Sequence, residues 1–559
     1  GDYIRRDFFG RYPQLARLVE NYTDEQLHKL RRGGHDPEKI YAAYQAAVAQ
    51  EGAPTVILAK TIKGYGLGEA GEGRNVTHQQ KKLNEEELRH FRSRFGIPIP
   101  DAQIAKMPFY RPDDDSEEMI YLRERRRALG GLLPSRSVSV PVHRPPRMDL
   151  YREFLEGSGQ REIATTMAMV HLLGKLLKDK NLGRHVVPIV PDEARTFGME
   201  ALFRKIGIYS HVGQVYEPVD KESLLYYKEA TDGQILEEGI TEAGAMSSFV
   251  AAGTAYSTFG VNMIPFYFFY SMFGFQRIGD LIWAAGDAQA RGFLLGATAG
   301  RTTLAGEGLQ HQDGHSHVLA LTNPSVEAYD PAFAYEVAVI VREGLRRMLE
   351  DGDNVIYYLT LMNEFYPMPP MPQGVEAGIL KGLYRLKAAS NKRTRIRAHL
   401  LGSGTILNEA LKAQAILEAD YGVAADVWSV TSYKKLYEDA VDAERRNLRQ
   451  PDQAPRKSFI EEQLAGARGV FVAASDYLKA LPAMIAKWLP GPLLLLGTDG
   501  YGRSEARAAL RDFFEVDARH IAYTALCGLA REKRIAADIP SKAQKALEID
   551  PDKANPRRS

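Results

Sequence analysis

An α/β fold, built of parallel sheets with helices on both faces, is expected for most of this 559-residue chain. Three observations predict it. First, short continuous apolar runs recur at 185–190, 263–269, 292–296, 354–361, 396–401, 425–430, 469–473 and 493–496. Strands covered on both faces read this way, whereas half-exposed strands alternate. Second, helical stretches separate them, as at 165–178, 276–288, 333–349 and 411–421. Strands that alternate with helices imply parallel pairing. Third, polar clusters follow several strands, where ligands of such sheets sit.

In chain order, residues 1–50 read as charged and helical. Thr23-Asp24-Glu25-Gln26 is a cap-like start, and Pro37-Glu38 opens a second helix. The β-rich run 54–62 (PTVILAKTI) is expected to be a buried parallel strand. It leads into Lys63-Gly64-Tyr65-Gly66-Leu67-Gly68 and a glycine-rich polar loop ending at His78, before a helix near Asn84. Such a loop buries little surface and is expected to move. His78 is therefore either a plain exposed histidine or a proton carrier. Residues 100–150, rich in Pro, Arg and Ser, read as a linker. The expected domains are 1–145, 146–370 and 371–559.

The bulk composition excludes several function classes. Lys plus Arg (72) nearly cancels Asp plus Glu (71), which argues against non-specific nucleic-acid binding. A single cysteine, Cys527, excludes an internal disulfide and suits a reducing cytoplasm. No apolar run reaches the roughly 18–20 residues of a membrane helix. The start, GDYIRRDFFGRYPQ, lacks Met and does not read as a signal peptide.

The candidate chemistry centres on 233–275, where Glu242 opens a small, apolar helix and an aromatic cluster follows: Tyr267, Phe268, Phe269, Tyr270, Phe273 and Phe275. An acid in a dry pocket beside an aromatic shelf can share a proton with a heterocycle; alternatively Glu242 caps a helix and the rings are core. After strand 185–190 comes the polar cluster Asp192, Glu193, Arg195 and Thr196. Loop 298–317 carries His311, Asp313, His315 and His317. It reads as a polar loop with one or two imidazoles facing a substrate, with metal ligation as the weaker alternative. The turn Gly402-Ser403-Gly404-Thr405 is a weak phosphate-binding candidate.

Several long stretches are similar to the homodimeric-type pyruvate dehydrogenases of the transketolase-like thiamine diphosphate (ThDP) family. They include RGGHDPEKIYAAY, LAKTIKGYGLGEAGEGRNVTHQQKKLN, VPDEARTFGMEALFRKIGIYS, GQILEEGITEAGA, IPFYFFYSMFGFQRIGDLIWAAGDAQARGF, GRTTLAGEGLQHQDGHSH and GTDGYGRSEARAALRDFFEVDA. The resemblance spans essentially the whole chain. It implies a transketolase-like fold. Residues 1–145 would end the diphosphate domain, 146–370 would bind the pyrimidine, and 371–559 would support the dimer.

The resemblance also implies roles. Glu242 would exchange a proton with the aminopyrimidine, and Tyr270 and Phe273 would stack on it. His78 would serve acetyl transfer to a lipoyl group, and His311 would orient the substrate. Asp192 and Glu193 would be an acidic pair near the pocket. It further implies ThDP and Mg²⁺, pyruvate, a homodimer with shared sites, and the lipoyl domain of an acetyltransferase core. The family's Gly-Asp-Gly motif and following Asn, which hold Mg²⁺ and diphosphate, do not precede LAKTIKGYG. An N-terminal part is therefore expected to be missing, and no metal ligand is assigned. Asp351-Gly352-Asp353-Asn354 reads as a helix-to-strand turn instead. The alternatives are an incomplete fragment that only dimerises, or a ThDP enzyme for another 2-oxo acid, with Phe268 and Phe269 shaping an apolar acyl pocket.

Overall fold

The computed structural model describes all residues except 31–32, 80–81, 132–139, 142, 193, 220–226 and 392. The described chain forms two compact units, Gly1–Leu133 and Pro134–Ser559.

The first unit is helical. Thr23 and Gln26 form a reciprocal capping box at helix Asp24–Lys29, and Asp36 caps Pro37–Ala49. Asn84 and Glu87 do the same at Glu85–Arg94. The expected linker contains helix Glu117–Ala128. The expected strand at 54–62 does not form: those residues carry no ladder, and Val56 and Leu58 are 80% and 91% exposed. A parallel strand needs a neighbour for its N–H and C=O groups, and no strand is described in 1–133. Among the described residues, the Ile62 N–H finds a partner in the His35 imidazole at 2.7 Å.

The described part of the glycine loop is laced by its own hydrogen bonds. It closes on itself through Gly73 N–H to Lys63 O (2.9 Å) and Thr77 to Gly71. Its Glu72 pairs with Arg94 at 2.7 Å, and Tyr65 stacks on His35 with ring centres 3.9 Å apart.

Among its described residues the second unit holds two large sheets and two two-stranded ones, the latter pairing Glu162–Ile163 with Tyr366–Pro367 and Ile208–Tyr209 with Glu229–Ala230. The first large sheet has six strands: β1 Val186–Val190, β2 Leu236–Glu237, β3 Ile264–Tyr270, β4 Gly292–Ala297, β5 Val326–Tyr329 and β6 Ile356–Thr360. Their spatial order is β2-β1-β3-β4-β6-β5 and every pairing is parallel. Helices α1 Thr165–Leu176, α2 Glu242–Gly253, α3 Phe275–Asp287 and α4 Ala334–Arg346 cover it. The second sheet comprises β7 Tyr384–Lys387, β8 Arg397–Gly402, β9 Ala424–Ser429, β10 Val470–Ala474 and β11 Leu493–Leu496, in the order β7-β9-β8-β10-β11. Only β7 runs antiparallel. Helices α5 Ile406–Tyr421, α6 Tyr433–Arg449 and α7 Ala518–Arg531 pack around it. Strands β2, β5 and β7 and helix α6 were not expected, because two- to four-residue strands and a strongly charged helix leave no apolar run.

One buried carboxylate staples the sheets together. Glu336 accepts hydrogen bonds from the N–H groups of Ala332 (2.6 Å) and Phe333 (3.1 Å) at the head of α4. It also accepts from Tyr384 of β7 (2.6 Å) and Ser429 of β9 (2.7 Å). Glu336→Ala would remove the shared acceptor of four buried donors, of which, among the described residues, only Tyr384 has a second partner in the Tyr335 hydroxyl. It should lower stability by about 3 kcal/mol or more, read as a denaturant midpoint, and a loss under about 1 kcal/mol would contradict the staple.

Candidate functional site

The site gathers at the carboxyl ends of β3 and β4. Strand β3 ends in Tyr270, and a tight turn, Ser271–Phe273, delivers the chain into α3. Gly296 of β4 makes the close packing there feasible: a Cβ would lie 2.8 Å from the Tyr358 hydroxyl and 3.1 Å from Ser271 Oγ.

Glu242 heads α2, where Thr241 Oγ1 accepts the Gly244 N–H at 3.1 Å. The Glu242 side chain is only 12% exposed, and its Oε1 takes a hydrogen-bonded ion pair from Arg277 at 2.9 Å. The expectation of a free acid in a dry pocket is thus amended by a cation from α3. Arg277 also lies over the Phe273 ring, 3.9 Å from its centre. Phe273 meets the His311 ring at 5.2 Å, and Tyr270 meets His311 at 4.8 Å and Phe273 at 6.0 Å. Glu242, Arg277, Phe273, Tyr270 and His311 therefore form one connected set, and both shelf rings are half-buried. Phe268 and Phe269 are fully buried in the sheet core, so they do not shape an acyl pocket.

The other residues of the histidine loop hold it in place. Asp313 is fully buried. Its Oδ1 accepts the N–H groups of His315 and Ser316, each at 2.9 Å, and its Oδ2 accepts the hydroxyls of Ser271 and Ser316. Burial acts to raise the Asp313 carboxyl, but these hydrogen bonds outweigh it and hold it below the usual carboxylate range. His315 bonds Gln276 at 2.8 Å. His317 faces Thr360 at 2.8 Å, and burial pushes its imidazole down to about 4. The turn considered for phosphate is likewise occupied, since Gly404 N–H bonds the Asp330 carbonyl at 3.2 Å and Thr405 meets Thr303 at 2.5 Å.

Asp192 lies at the end of β1 and lines a cleft of about 650 Å³ with Glu229, Glu237 and Tyr227. Burial pushes the Glu237 carboxyl above its ordinary range, and the Asp192 charge adds to this against a hydrogen bond from Tyr227. Glu193 lies outside the described residues. His78 belongs to the first unit, where its side chain is exposed at the end of the short turn Asn75–His78. Arg277 and Ser271 escaped the sequence reading; the only signal for Arg277 was its position four residues after Phe273.

The aromatic set, the acid and the buried loop anchor lie within the stretch that matches the pyruvate dehydrogenase E1 component middle domain, residues 149–369. Residues 382–517 match the transketolase-like TK C-terminal domain. The chain is 54% identical over its whole length to a pyruvate dehydrogenase E1 component of Pseudomonas aeruginosa, and 51% identical to that of Escherichia coli.

Its similarity to pyruvate dehydrogenase E1 components extends over the whole chain. The chain spans 63% of the length of each of these two relatives. The fold is transketolase-like. A transketolase from Campylobacter jejuni superimposes with a TM-score of 0.59 at 16% identity, over 88% of this chain and 66% of that one. One from Leishmania mexicana gives 0.59 at 15%, over 92% and 69%.

A buried acid behind the histidine loop gives this region a testable pH signature. Asp330 accepts from Thr360 at 2.7 Å, and burial pushes its carboxyl up to about 7. The fold therefore holds this proton where the unfolded chain has released it. The contribution is present below the unfolded value of 3.8 and is lost as pH rises through about 7. His317 has the opposite sign, losing its contribution as pH falls toward about 4. Asp330→Asn should therefore gain stability relative to the parent between about pH 5 and pH 8, measured by denaturant midpoints. Parallel pH profiles would contradict the assignment.

Proposed function

We propose that this chain supplies the aminopyrimidine-binding and C-terminal parts of a ThDP-dependent pyruvate dehydrogenase. Such an enzyme decarboxylates pyruvate and passes the acetyl unit to a lipoyl group. The observation that carries the reading is the connected set of Glu242, Arg277, Phe273, Tyr270 and His311. A nearly enclosed acid at a helix head, beside half-open aromatic faces, suits a flat, protonatable heterocycle. The names of the relatives support the choice of pyruvate.

When bound, ThDP stabilises the carbanion left by decarboxylation; the protein positions it and tunes it. Glu242 would hold a proton toward the pyrimidine edge, with Arg277 yielding that carboxylate. Tyr270 and Phe273 would stack on the ring, and His311 would orient the substrate. Asp192, with Glu193, would add negative charge at the pocket edge. His78 would supply a proton during acetyl transfer to the lipoyl domain of an acetyltransferase core.

Among the described residues, none is assigned to the diphosphate or Mg²⁺. The Asp351–Asn354 stretch is engaged elsewhere, with Arg347 on Asp353 at 2.7 Å and Arg291 on Asn354 at 2.9 Å and on the Gly352 carbonyl at 2.7 Å. We expect that grip within the relatives' remaining length, and no step is assigned to the metal. The assignment of 1–145 to the end of the diphosphate domain, 146–370 to the pyrimidine domain and 371–559 to the C-terminal domain belongs to the same proposal. So do a homodimer with shared sites and a place in the bacterial cytoplasm. Among the described residues, no helix is long and apolar enough to cross a membrane.

In a chain extended to the relatives' full length, Glu242→Ala should cut decarboxylation by on the order of 100-fold or more while leaving the oligomer intact. Normal turnover would sink the role given to Glu242. His78→Ala should leave decarboxylation to an artificial electron acceptor in place and lower lipoyl acetylation. An equal fall in both would remove His78 from the transfer step.

A further inference from the structure

The glycine-rich turn after the last strand of the second sheet, 497–503, is absorbed by none of the roles above. Yet it grips the histidine loop of the first sheet. Gln312, next to His311, is fully buried. Its Oε1 accepts the Arg503 N–H at 2.6 Å, and its Nε2 donates to the Leu304 carbonyl at 2.9 Å. Arg301, also buried, donates to the carbonyls of Thr498 and Gly500. Ser504 donates to the Glu307 carbonyl at 2.9 Å, and Arg507 to the Thr303 carbonyl at 2.6 Å. Asp476, at the end of β10, takes the N–H and hydroxyl of both Thr302 and Thr303 at 2.6–2.9 Å. The loop that carries His311 thus receives side-chain or backbone partners from the second sheet along most of its length.

We infer that the turn 497–503 is a positioning element for His311, so that the C-terminal domain sets the geometry of the candidate site as well as supporting the dimer. The kinetic part of this inference rests on the proposed role of His311; the structural part does not. Gly502 is the point of closest approach. A Cβ there would stand 2.6 Å from Gln312 Oε1 and 2.9 Å from the Leu309 carbonyl oxygen, on either side of His311. Its backbone is not in the left-handed region, so alanine is admitted by conformation and excluded only by contact. Alanine at 502 therefore pushes the loop without deleting any hydrogen-bonding group.

The test is Gly502→Ala, read first by histidine-selective NMR on this chain, with the His311 ring signals assigned by their loss in His311→Gln. The signals should shift by more than a linewidth. A control, Leu529→Ala in the core of α7, should lower the melting temperature and leave those signals in place. Unmoved signals in Gly502→Ala, or equal shifts in both variants, would overturn the inference. In the extended chain, kcat/KM for pyruvate should fall on the order of 10- to 100-fold. Shifted signals with unchanged kinetics would uphold the positioning and refute the substrate role of His311.

Discussion

The buried Asp313 carboxylate is the constraint on which the candidate site depends. It takes the Ser271 hydroxyl on one side and the His315 and Ser316 N–H groups on the other. The shelf turn and the histidine loop are therefore tied to a single charge, away from water. Removing such an acceptor would leave several buried donors unpaired, which makes the arrangement stiff. The tilt of His311 against Tyr270 and Phe273 follows from that stiffness.

Around this anchor the two sheets divide the work. Parallel strands place their carboxyl ends, and the loops that follow them, at one edge. The first sheet brings the acid and the rings there. The second reaches the same loop through Asp476 and the turn 497–503. Glu336 and Asp330 join the sheets farther inside. The site is thus a property of the packed pair of sheets.

Much of this was legible in the residues. Strands β3 and β4 could be read because both their faces are covered, which makes them apolar without alternation. Glu242, Tyr270, Phe273 and His311 were likewise picked out, and the structure brings them together. The same apolar signal misled at 54–62, because periodicity reports what a strand would bury and not whether a neighbour is there to pair with it. The His-x-His pattern of the loop left metal ligation as the weaker reading, and His315 and His317 turn instead to Gln276 and Thr360. Arg277 was invisible because its meaning depends on Glu242, 35 residues earlier in the chain. Phe268 and Phe269 lie in a run read as a buried strand, and the core position found there rules out the acyl pocket considered with the resemblance.

The central claim is that Glu242 is an aminopyrimidine partner held in reserve by Arg277. A crystal structure of the extended chain with ThDP and Mg²⁺ tests it most directly. The account predicts Glu242 hydrogen-bonded to the pyrimidine edge, the ring against Tyr270 and Phe273, and the Arg277 pair broken. Bound ThDP with the Glu242–Arg277 pair intact and the ring elsewhere would contradict it.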